Sequence, residues 1–297
     1  MTGRHPPDGI EPATRSTLVE GLTALGVESG DTVMLHTSMR ALGWVVGGPE
    51  TIVRALLDVI GPEGTLMAYA GWDQDPYHLD RWPEAIREGA LAEQPGFDAA
   101  ISEANREHGR LPERLRTWPG AVRGSHPEAS MVAVGRLASW LVDPHPSDDA
   151  YGLGSPLERL VQARGTVLML GAPLGTMTLL HHAEALAQVP GKARVSYRAP
   201  VAHADGTIQW RTFHDFNTSG GVLDYASVLG EGVDEFEAIV RDALASDIGT
   251  QRPIGASTSV LVDAEAIVSF AITWLEVRFA GTPDDAGRAG APGRTRL

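Results

Sequence analysis

His181 and Glu184 are the two residues whose types and spacing best suit chemistry in this chain. Residues three apart on a helix share one face, so the imidazole and the carboxylate would lie side by side. An imidazole titrates near neutral pH and can act as a general base, and a carboxylate beside it can orient the ring. The alternative is a surface pair or a capped histidine in the core. The position of the pair, directly after a predicted strand and turn, favours the catalytic interpretation.

The same histidines could instead bind a metal ion. His36, His126, His181, His182 and Glu184 include enough ligand types for zinc. Adjacent residues on a helix point about 100° apart, so His182 would not reach a metal held by His181 and Glu184. The sequence contains no H-E-x-x-H motif. We predict no catalytic metal, and a metal-dependent hydrolase remains the alternative.

Two further histidines stand beside small polar residues. His36-Thr37-Ser38 ends a predicted strand, where hydroxyl groups and backbone amides can hold phosphate or polar cofactor groups. The alternative there is a strand exit capped by serine. The run Arg123-Gly124-Ser125-His126-Pro127 precedes another predicted strand, and an arginine beside glycine and serine suits an anion. The alternative there is a simple turn.

Strands and helices alternate along the chain, an order that predicts an α/β layer architecture. The hydrophobic patterns predict helices over residues 14–26, 49–60, 233–245 and 264–279, with further helices beginning at Ser155 and just before His181. They predict strands over residues 32–36, 64–69, 130–134, 166–170 and 259–262. Asp205-Gly206 between two alternating segments, 194–201 and 207–213, predicts a β-hairpin.

Residues 71–119 differ from this regular pattern. They combine Trp72, Trp82 and Trp118 with many charged residues and little clean periodicity, so we predict an excursion of helices and loops that serves as a lid or substrate wall. We predict a single domain over residues 1–280. Residues 281–297, rich in Gly, Ala, Pro and Arg, are predicted to form a disordered tail.

Composition narrows the class of protein. The 297 residues carry a net charge of −14, which argues against a nucleic-acid partner and suits a cationic ligand such as a polyamine or an amino sugar. No apolar run reaches the roughly 18 residues that a membrane span needs, and the N-terminus has no signal-peptide core. We therefore predict a soluble cytoplasmic protein without a membrane partner. The absence of cysteine excludes a thiol nucleophile, and Lys192 is the one lysine for covalent catalysis.

Taken together, the segments resemble the aminoglycoside 3-N-acetyltransferase family over roughly residues 14–280. The shorter matching stretches are His36-Thr-Ser-Met-Arg-Ala-Leu-Gly43, Gly47-Gly-Pro-Glu-Thr51, Gly61-Pro-Glu-Gly-Thr-Leu-Met67, Tyr69-Ala-Gly-Trp-Asp73, Ser125-His-Pro-Glu-Ala-Ser-Met-Val-Ala-Val-Gly135 and Gly154-Ser-Pro156. The most specific is Leu170-Gly-Ala-Pro-Leu-Gly-Thr-Met-Thr-Leu-Leu-His-His-Ala-Glu-Ala-Leu-Ala187. Relatives often carry Arg-Ser-Gly-His-Pro or Arg-Ser-Ala-His-Pro where this chain has Arg123-Gly-Ser-His-Pro127. The hydroxyl is one place later, so any contact that it makes with acetyl-CoA would differ here.

The resemblance implies a fold and a reaction. The fold would be a three-layer α/β/α sandwich around a central mixed sheet, not the common GNAT acetyltransferase fold. The reaction would move acetyl from acetyl-CoA to the 3-amino group of the 2-deoxystreptamine ring of an aminoglycoside, giving antibiotic resistance. The protein would be a monomer or a homodimer that needs acetyl-CoA as co-substrate and no metal.

The resemblance also implies roles for particular residues. His181 would be the catalytic base and Glu184 its orienting carboxylate. The coenzyme site would comprise His36, Thr37, Ser38, Arg40, Leu42, Gly43, Arg123, Ser125, His126 and Thr178. For the cationic substrate we nominate Tyr69 and Trp72 as walls and four carboxylates by position and charge, Asp73, Asp75, Asp215 and Glu231.

The residue types fit direct transfer in a ternary complex. A covalent acetyl-enzyme would need a nucleophilic side chain, and the chain has no cysteine and only one lysine. A histidine base suits an attacking amine that must lose a proton near neutral pH. The alternatives are the metal-dependent hydrolase, an acyltransferase for a different amine, and a non-catalytic binder of polyamines.

Overall fold

The protein is described here by a computed structural model, which covers residues 11–76, 79, 82–218 and 220–280. Its main sheet contains β1 (Thr32–Thr37), β2 (Thr65–Tyr69), β3 (Val122–Arg123), β4 (Met131–Gly135), β5 (Thr166–Leu170), β8 (Thr250–Ile254) and β9 (Ser257–Asp263). A separate hairpin contains β6 (Arg194–Ala202) and β7 (Ile208–Phe216). The predicted tail, residues 281–297, lies outside the described residues.

The main sheet is mixed, with the strand order β3-β4-β2-β1-β5-β9-β8. The three central strands β2, β1 and β5 run parallel, and the outer pairings are antiparallel. β1 therefore has a parallel neighbour on each side, β2 and β5, and the chain reaches β2 first and returns later to the other side of β1 as β5. Such a switch point leaves a crevice at the carboxyl ends of the strands, where α/β proteins bind ligands.

Helices cover both faces of the sheet. They are α1 (Arg15–Leu25), α2 (Met39–Leu42), α3 (Pro49–Ile60), α4 (Glu84–Ala92), α5 (Leu111–Arg116), α6 (Ala138–Val142), α7 (Pro156–Gln162), α8 (Leu180–Leu186), α9 (Ala226–Leu229), α10 (Glu235–Ala245) and α11 (Ala264–Phe279). Alternate residues of β1 enter different cores: Val33 and Leu35 pack with α1, α3 and α5, while Met34 packs with α6, α7, α8, α10 and α11. The predicted three-layer α/β/α sandwich around a mixed sheet is thus confirmed.

Most predicted elements are present within a residue or two of their predicted bounds. Ser155 caps α7 by accepting a hydrogen bond from the Glu158 amide, and the Glu158 carboxylate accepts from the Gly154 amide. The hairpin turns at Asp205-Gly206, and the 71–119 excursion contains α4, a 3₁₀ helix over Arg106–His108, and α5. The two outermost strands, β3 and β8, were not predicted from the sequence.

Within the part of the chain that the structure describes, no helix combines the length and the apolar character that a membrane span requires.

Candidate active site

The ends of β1 and β5 place two loops side by side. Thr37 is in register with Leu170, and the Leu170 carbonyl accepts hydrogen bonds from the Ser38 amide and the Thr37 hydroxyl, both at 3.2 Å. Gly171 turns the chain here with φ of +64°, and a Cβ would lie 2.4 Å from the Ser257 hydroxyl oxygen. The loop after β1 and the loop before α8 therefore meet at the switch point of the sheet.

His181 and Glu184 lie on α8 as the spacing predicts. His181 Nδ1 is 2.7 Å from Glu184 Oε2, and the Glu184 side chain is 2% exposed. Because a carboxylate accepts, Nδ1 carries the proton, and Nε2 holds the lone pair on a ring that lines the cleft. The ring packs edge-on against Phe236, with centroids 4.8 Å apart. The arrangement has the geometry of a general base with its orienting carboxylate.

The second oxygen of Glu184 accepts a hydrogen bond from the Tyr225 hydroxyl at 2.6 Å. Tyr225 was not predicted as a site residue. Its position, 41 residues along the chain from Glu184, carries no sequence signal that links the two.

His181 opens into a cleft of about 790 Å³. Nine of the predicted site residues line this cleft: His36, Thr37, Ser38, Arg40, Tyr69, Trp72, Asp75, Thr178 and His181. The nine others do not line it: Glu184, Leu42, Gly43, Arg123, Ser125, His126, Asp73, Asp215 and Glu231. The structure thus gathers the β1 loop, the α8 loop and part of the 71–119 excursion around one space.

The His36 imidazole is neutral at the wall of the cleft. Burial, with a smaller contribution from nearby His108, lowers the pKa of His36 to about 4. Its Nε2 atom is buried and has no hydrogen-bond partner among the described residues. This polar wall can take a ligand group without competing for protons near neutral pH.

The carboxylates at the cleft differ from the nominated set. Asp75, Glu107 and Glu128 line it, and only Asp75 was nominated. Asp73 instead pairs with Arg106, whose hydrogen bonds hold the pKa of that carboxyl below its ordinary value. Glu231 is exposed outside the cleft. Glu128 lies inside the matching stretch 125–135, and that position was the available signal for it.

Arg123 fastens the excursion to the sheet and does not face the cleft. Its guanidinium donates hydrogen bonds to the Ser130 hydroxyl and to the carbonyl oxygens of Ser102 and Gly71, and it lies over the Phe97 ring. Burial lowers the pKa of Arg123 to about 10, so the group still carries its charge at neutral pH.

The structure gives a steric reason for the glycine at position 124 of the 123–127 run. A Cβ on Gly124 would lie 2.7 Å from the Val142 carbonyl oxygen, so a serine at position 124 would require a shift of the backbone. Ser125 is exposed and lies outside the cleft.

His126 and Asp215 form a second histidine–carboxylate pair, buried at the base of the hairpin. His126 Nε2 is 3.9 Å from Asp215 Oδ2, and His126 Nδ1 accepts from the Ala129 amide. Burial raises the pKa of Asp215 to about 8, helped by the Glu128 charge, and burial also lowers the pKa of His126 well below its ordinary value. The distance alone suggests an ion pair, but both shifts favour neutral forms, so we describe the pair as neutral.

Within residues 11–76, 79, 82–218 and 220–280, no three side chains are arranged to hold a metal ion. The adjacent His182 is buried, with its Nδ1 donating to the Tyr151 carbonyl at 2.8 Å.

Comparison with known proteins gives one consistent family. Residues 34–276 match the family described as aminoglycoside 3-N-acetyltransferase. The chain is 52% identical over 276 residues to an aminoglycoside N(3)-acetyltransferase VIII of Streptomyces fradiae, covering 93% of this chain and 96% of the relative.

Solved structures agree. The aminoglycoside acetyltransferase AAC(3)-Xa is 50% identical with a TM-score of 0.87, covering 90% of this chain and 94% of that one. An AAC-IIIb, solved as a binary complex with CoASH, is 47% identical with a TM-score of 0.83, covering 92% and 99%. The predicted resemblance is confirmed, and so is the fold that it implied in place of the GNAT fold.

Proposed function

This chain belongs to the aminoglycoside 3-N-acetyltransferase family and is an aminoglycoside acetyltransferase. We propose that it transfers acetyl directly from acetyl-CoA, with His181 as the general base. The acceptor is the 3-amino group of a 2-deoxystreptamine ring. The observation that carries this proposal is the His181–Glu184 pair, whose Nδ1–Oε2 distance is 2.7 Å at the wall of the cleft.

The residues account for the movement of the proton. As the amine nitrogen bonds to the thioester carbonyl carbon, the carbon–sulfur bond breaks and the coenzyme leaves as a thiolate. The amine proton passes to His181 Nε2, and the imidazolium then returns it to the thiolate or to water. The Glu184 carboxylate stabilises the imidazolium through Nδ1. General-base help of this kind is worth about 10²–10⁴-fold in rate.

The co-substrate would lie along the β1 and α8 loops. His36, Thr37, Ser38, Arg40 and Thr178 supply hydroxyl groups, a neutral imidazole and a cation on that wall. The cleft, at about 790 Å³, is large enough to hold the reactive end of a coenzyme beside a sugar ring. A related AAC-IIIb has been solved with CoASH, which supports this assignment. Backbone amides within residues 36–43 are our candidates for polarising the thioester oxygen.

The aminoglycoside would bind against the acidic residues of the cleft lining. Asp75, Glu107 and Glu128 place three carboxylates at the cleft, with Tyr69 and Trp72 as walls. Several ammonium groups on one substrate suit several carboxylates, and the net charge of −14 would steer such a cation toward the protein. We therefore propose that Asp75, Glu107 and Glu128 bind the ammonium groups of the substrate, and that Asp73, Asp215 and Glu231 do not.

Direct transfer is favoured by the position of the only lysine. Lys192 donates a hydrogen bond from Nζ to the Ala185 carbonyl at 2.9 Å and lies over the Phe216 ring. It does not line the cleft. Because the chain has no cysteine, no side chain can carry acetyl as a thioester.

The test mixes the protein with acetyl-CoA and gentamicin and follows free thiol with a colorimetric reagent. The protein adds no background, because it has no cysteine. We expect thiol release that requires both substrates, and NMR of the product should place the acetyl on the 3-amino nitrogen. The absence of release with a panel of 2-deoxystreptamine drugs would overturn the acceptor and point to another amine.

A further inference from the structure

The Glu184 carboxylate lies in an unusual setting for an ionised group. Its side chain is 2% exposed, and it lies on a short helix that packs against α11. A buried carboxylate is stable only when its oxygens receive hydrogen bonds, because an unmade bond leaves the desolvation cost uncompensated. Oε2 has His181 Nδ1, and Oε1 has the Tyr225 hydroxyl at 2.6 Å.

Tyr225 is held firmly in the position from which it donates. It directly precedes α9, its side chain is buried, and its ring packs edge-on against Phe279 at the end of α11 with centroids 5.6 Å apart. Burial and the nearby Glu184 charge raise the pKa of Tyr225 far above its ordinary value. The hydroxyl therefore keeps its proton over the whole working pH range and acts only as a donor to Glu184.

We propose that Tyr225 is a positioning residue for this reaction: its hydroxyl fixes Glu184 in the ionised form and orientation that hold the His181 imidazole as a base. This inference rests on the proposed role of His181. Tyr225 does not line the cleft, so its effect reaches the reacting atoms only through Glu184.

The physical consequence can be derived from the charges around the pair. With a neutral imidazole the pair carries one negative charge, which the Tyr225 hydroxyl stabilises. Two charged groups on neighbouring elements also interact with Glu184, namely Glu235 of α10 and Lys192, and they have opposite signs. Removing the hydroxyl destabilises the negatively charged pair, so the pair takes up a proton more readily and His181 is lost as a base at a higher pH.

The experiment compares the wild type with Tyr225→Phe, which keeps the ring on Phe279 and removes the hydroxyl. We expect kcat to fall about tenfold, the lower end of the range for the loss of one hydrogen bond to a charged group. KM for both substrates should change less than about twofold, because the residue touches neither. The acidic limb of the kcat/KM profile should move to higher pH. Unchanged kcat together with an unchanged limb would overturn the proposal.

A measurement without substrates separates this proposal from the proposed function. The His181 ring proton can be identified by its absence from the NMR spectrum of His181→Ala, and its titration can then be followed in the free protein. The midpoint should rise in Tyr225→Phe. A wild-type protein that acetylates no aminoglycoside would refute the proposed function, whereas an unmoved midpoint would refute the role of Tyr225.

Two further variants control for packing. Tyr197→Phe removes a buried hydroxyl that lies against His126, outside the cleft, and should leave the His181 midpoint and kcat as in the wild type. If Tyr225→Phe does not fold, Phe279→Leu loosens the tyrosine ring but retains its hydroxyl. It should move the midpoint in the same direction by a smaller amount, and an unmoved midpoint there would overturn the proposal.

Discussion

Two histidine–carboxylate pairs in this protein use the same chemical groups for different ends. His181 and Glu184 lie three residues apart on one helix, with a 2.7 Å hydrogen bond at the cleft wall. His126 and Asp215 come from distant parts of the chain and stand 3.9 Å apart, and neither side chain is more than 4% exposed. The first pair borders the cleft, and the second is buried at the base of the hairpin.

The difference lies in what surrounds each carboxylate. Glu184 receives the His181 and Tyr225 donors, one on each oxygen. Asp215 accepts backbone amides from Ala150 and Phe216 on a single oxygen, and burial together with the Glu128 charge keeps it protonated at neutral pH. Spacing and residue type therefore do not make a base, because burial, neighbouring charges and hydrogen-bond donors together decide the charge of the carboxylate.

The comparison predicts the largest effect at His181. His181→Ala should lower kcat about 10²–10⁴-fold, because the amine loses its proton acceptor. Acetyl-CoA binding, measured by calorimetry, should stay near the wild-type value. The exposed His203 at the tip of the hairpin provides a matched control, and His203→Ala should retain activity. A His181→Ala protein that keeps more than about a tenth of kcat would remove this residue as the base.

The next effect is expected at Glu184. In Glu184→Gln the Tyr225 hydroxyl would still donate to the amide oxygen, so the amide NH₂ would face His181 Nδ1. The ring would then carry its proton on Nε2, the wrong tautomer for a base. We expect kcat to fall about 10–100-fold, the worth of a hydrogen bond to a charged group, with KM little changed. Steady-state kinetics near pH 7 check this, and a rise in KM alone would contradict the orienting role.

Glu128 connects the two regions, since it lines the cleft and its charge also raises the pKa of Asp215. Glu128→Gln should raise KM for the aminoglycoside about three- to tenfold, as expected for losing one partly screened charge pair. KM for acetyl-CoA serves as the internal control and should not change. Equal increases in both constants would indicate a distorted cleft and not a lost substrate contact.

Salt should weaken the attraction between the cleft and a cationic substrate, and it should have little effect on the buried pair His126 and Asp215. Raising NaCl to about 0.5 M shortens the screening length to roughly 4 Å and should raise KM for the aminoglycoside several-fold, with kcat nearly constant. A titration of KM against ionic strength measures this. An unchanged KM would show that charge steering does not contribute.

The smallest effect, on stability, concerns Asp215. The folded-state pKa of Asp215, about 8, lies above the ordinary value of 3.8. Its contribution to the free energy of unfolding is therefore fully present below pH 4 and is lost as the pH rises through 8. Asp215→Asn cannot ionise and should lose this dependence. The Tm of the variant minus that of the wild type should therefore increase between pH 5 and pH 8.5. A difference that is constant over this range would contradict the neutral buried state of Asp215.

Local patterns predicted most of the regular elements. Leu18, Leu22 and Leu25 repeat at helical spacing and bury one face of α1, and the apolar runs of β1 and β5 lie in the centre of the sheet. The strands that were missed lie at its two edges. β8 is mostly exposed and contains Pro253, which is tolerated at an edge, and β3 has only two residues, so neither produces a periodic signal.

The sequence by itself determined the fold class, the position of α8 after β5, and the pairing of His181 with Glu184, because these depend on periodicity and on contacts within a few residues. Only the tertiary structure decided which carboxylates line the cleft, that Arg123 fastens a loop, that Asp215 is neutral, and that Tyr225 supports Glu184. These outcomes depend on which polar groups are buried and on partners tens of residues away, and local hydrophobic patterns specify neither.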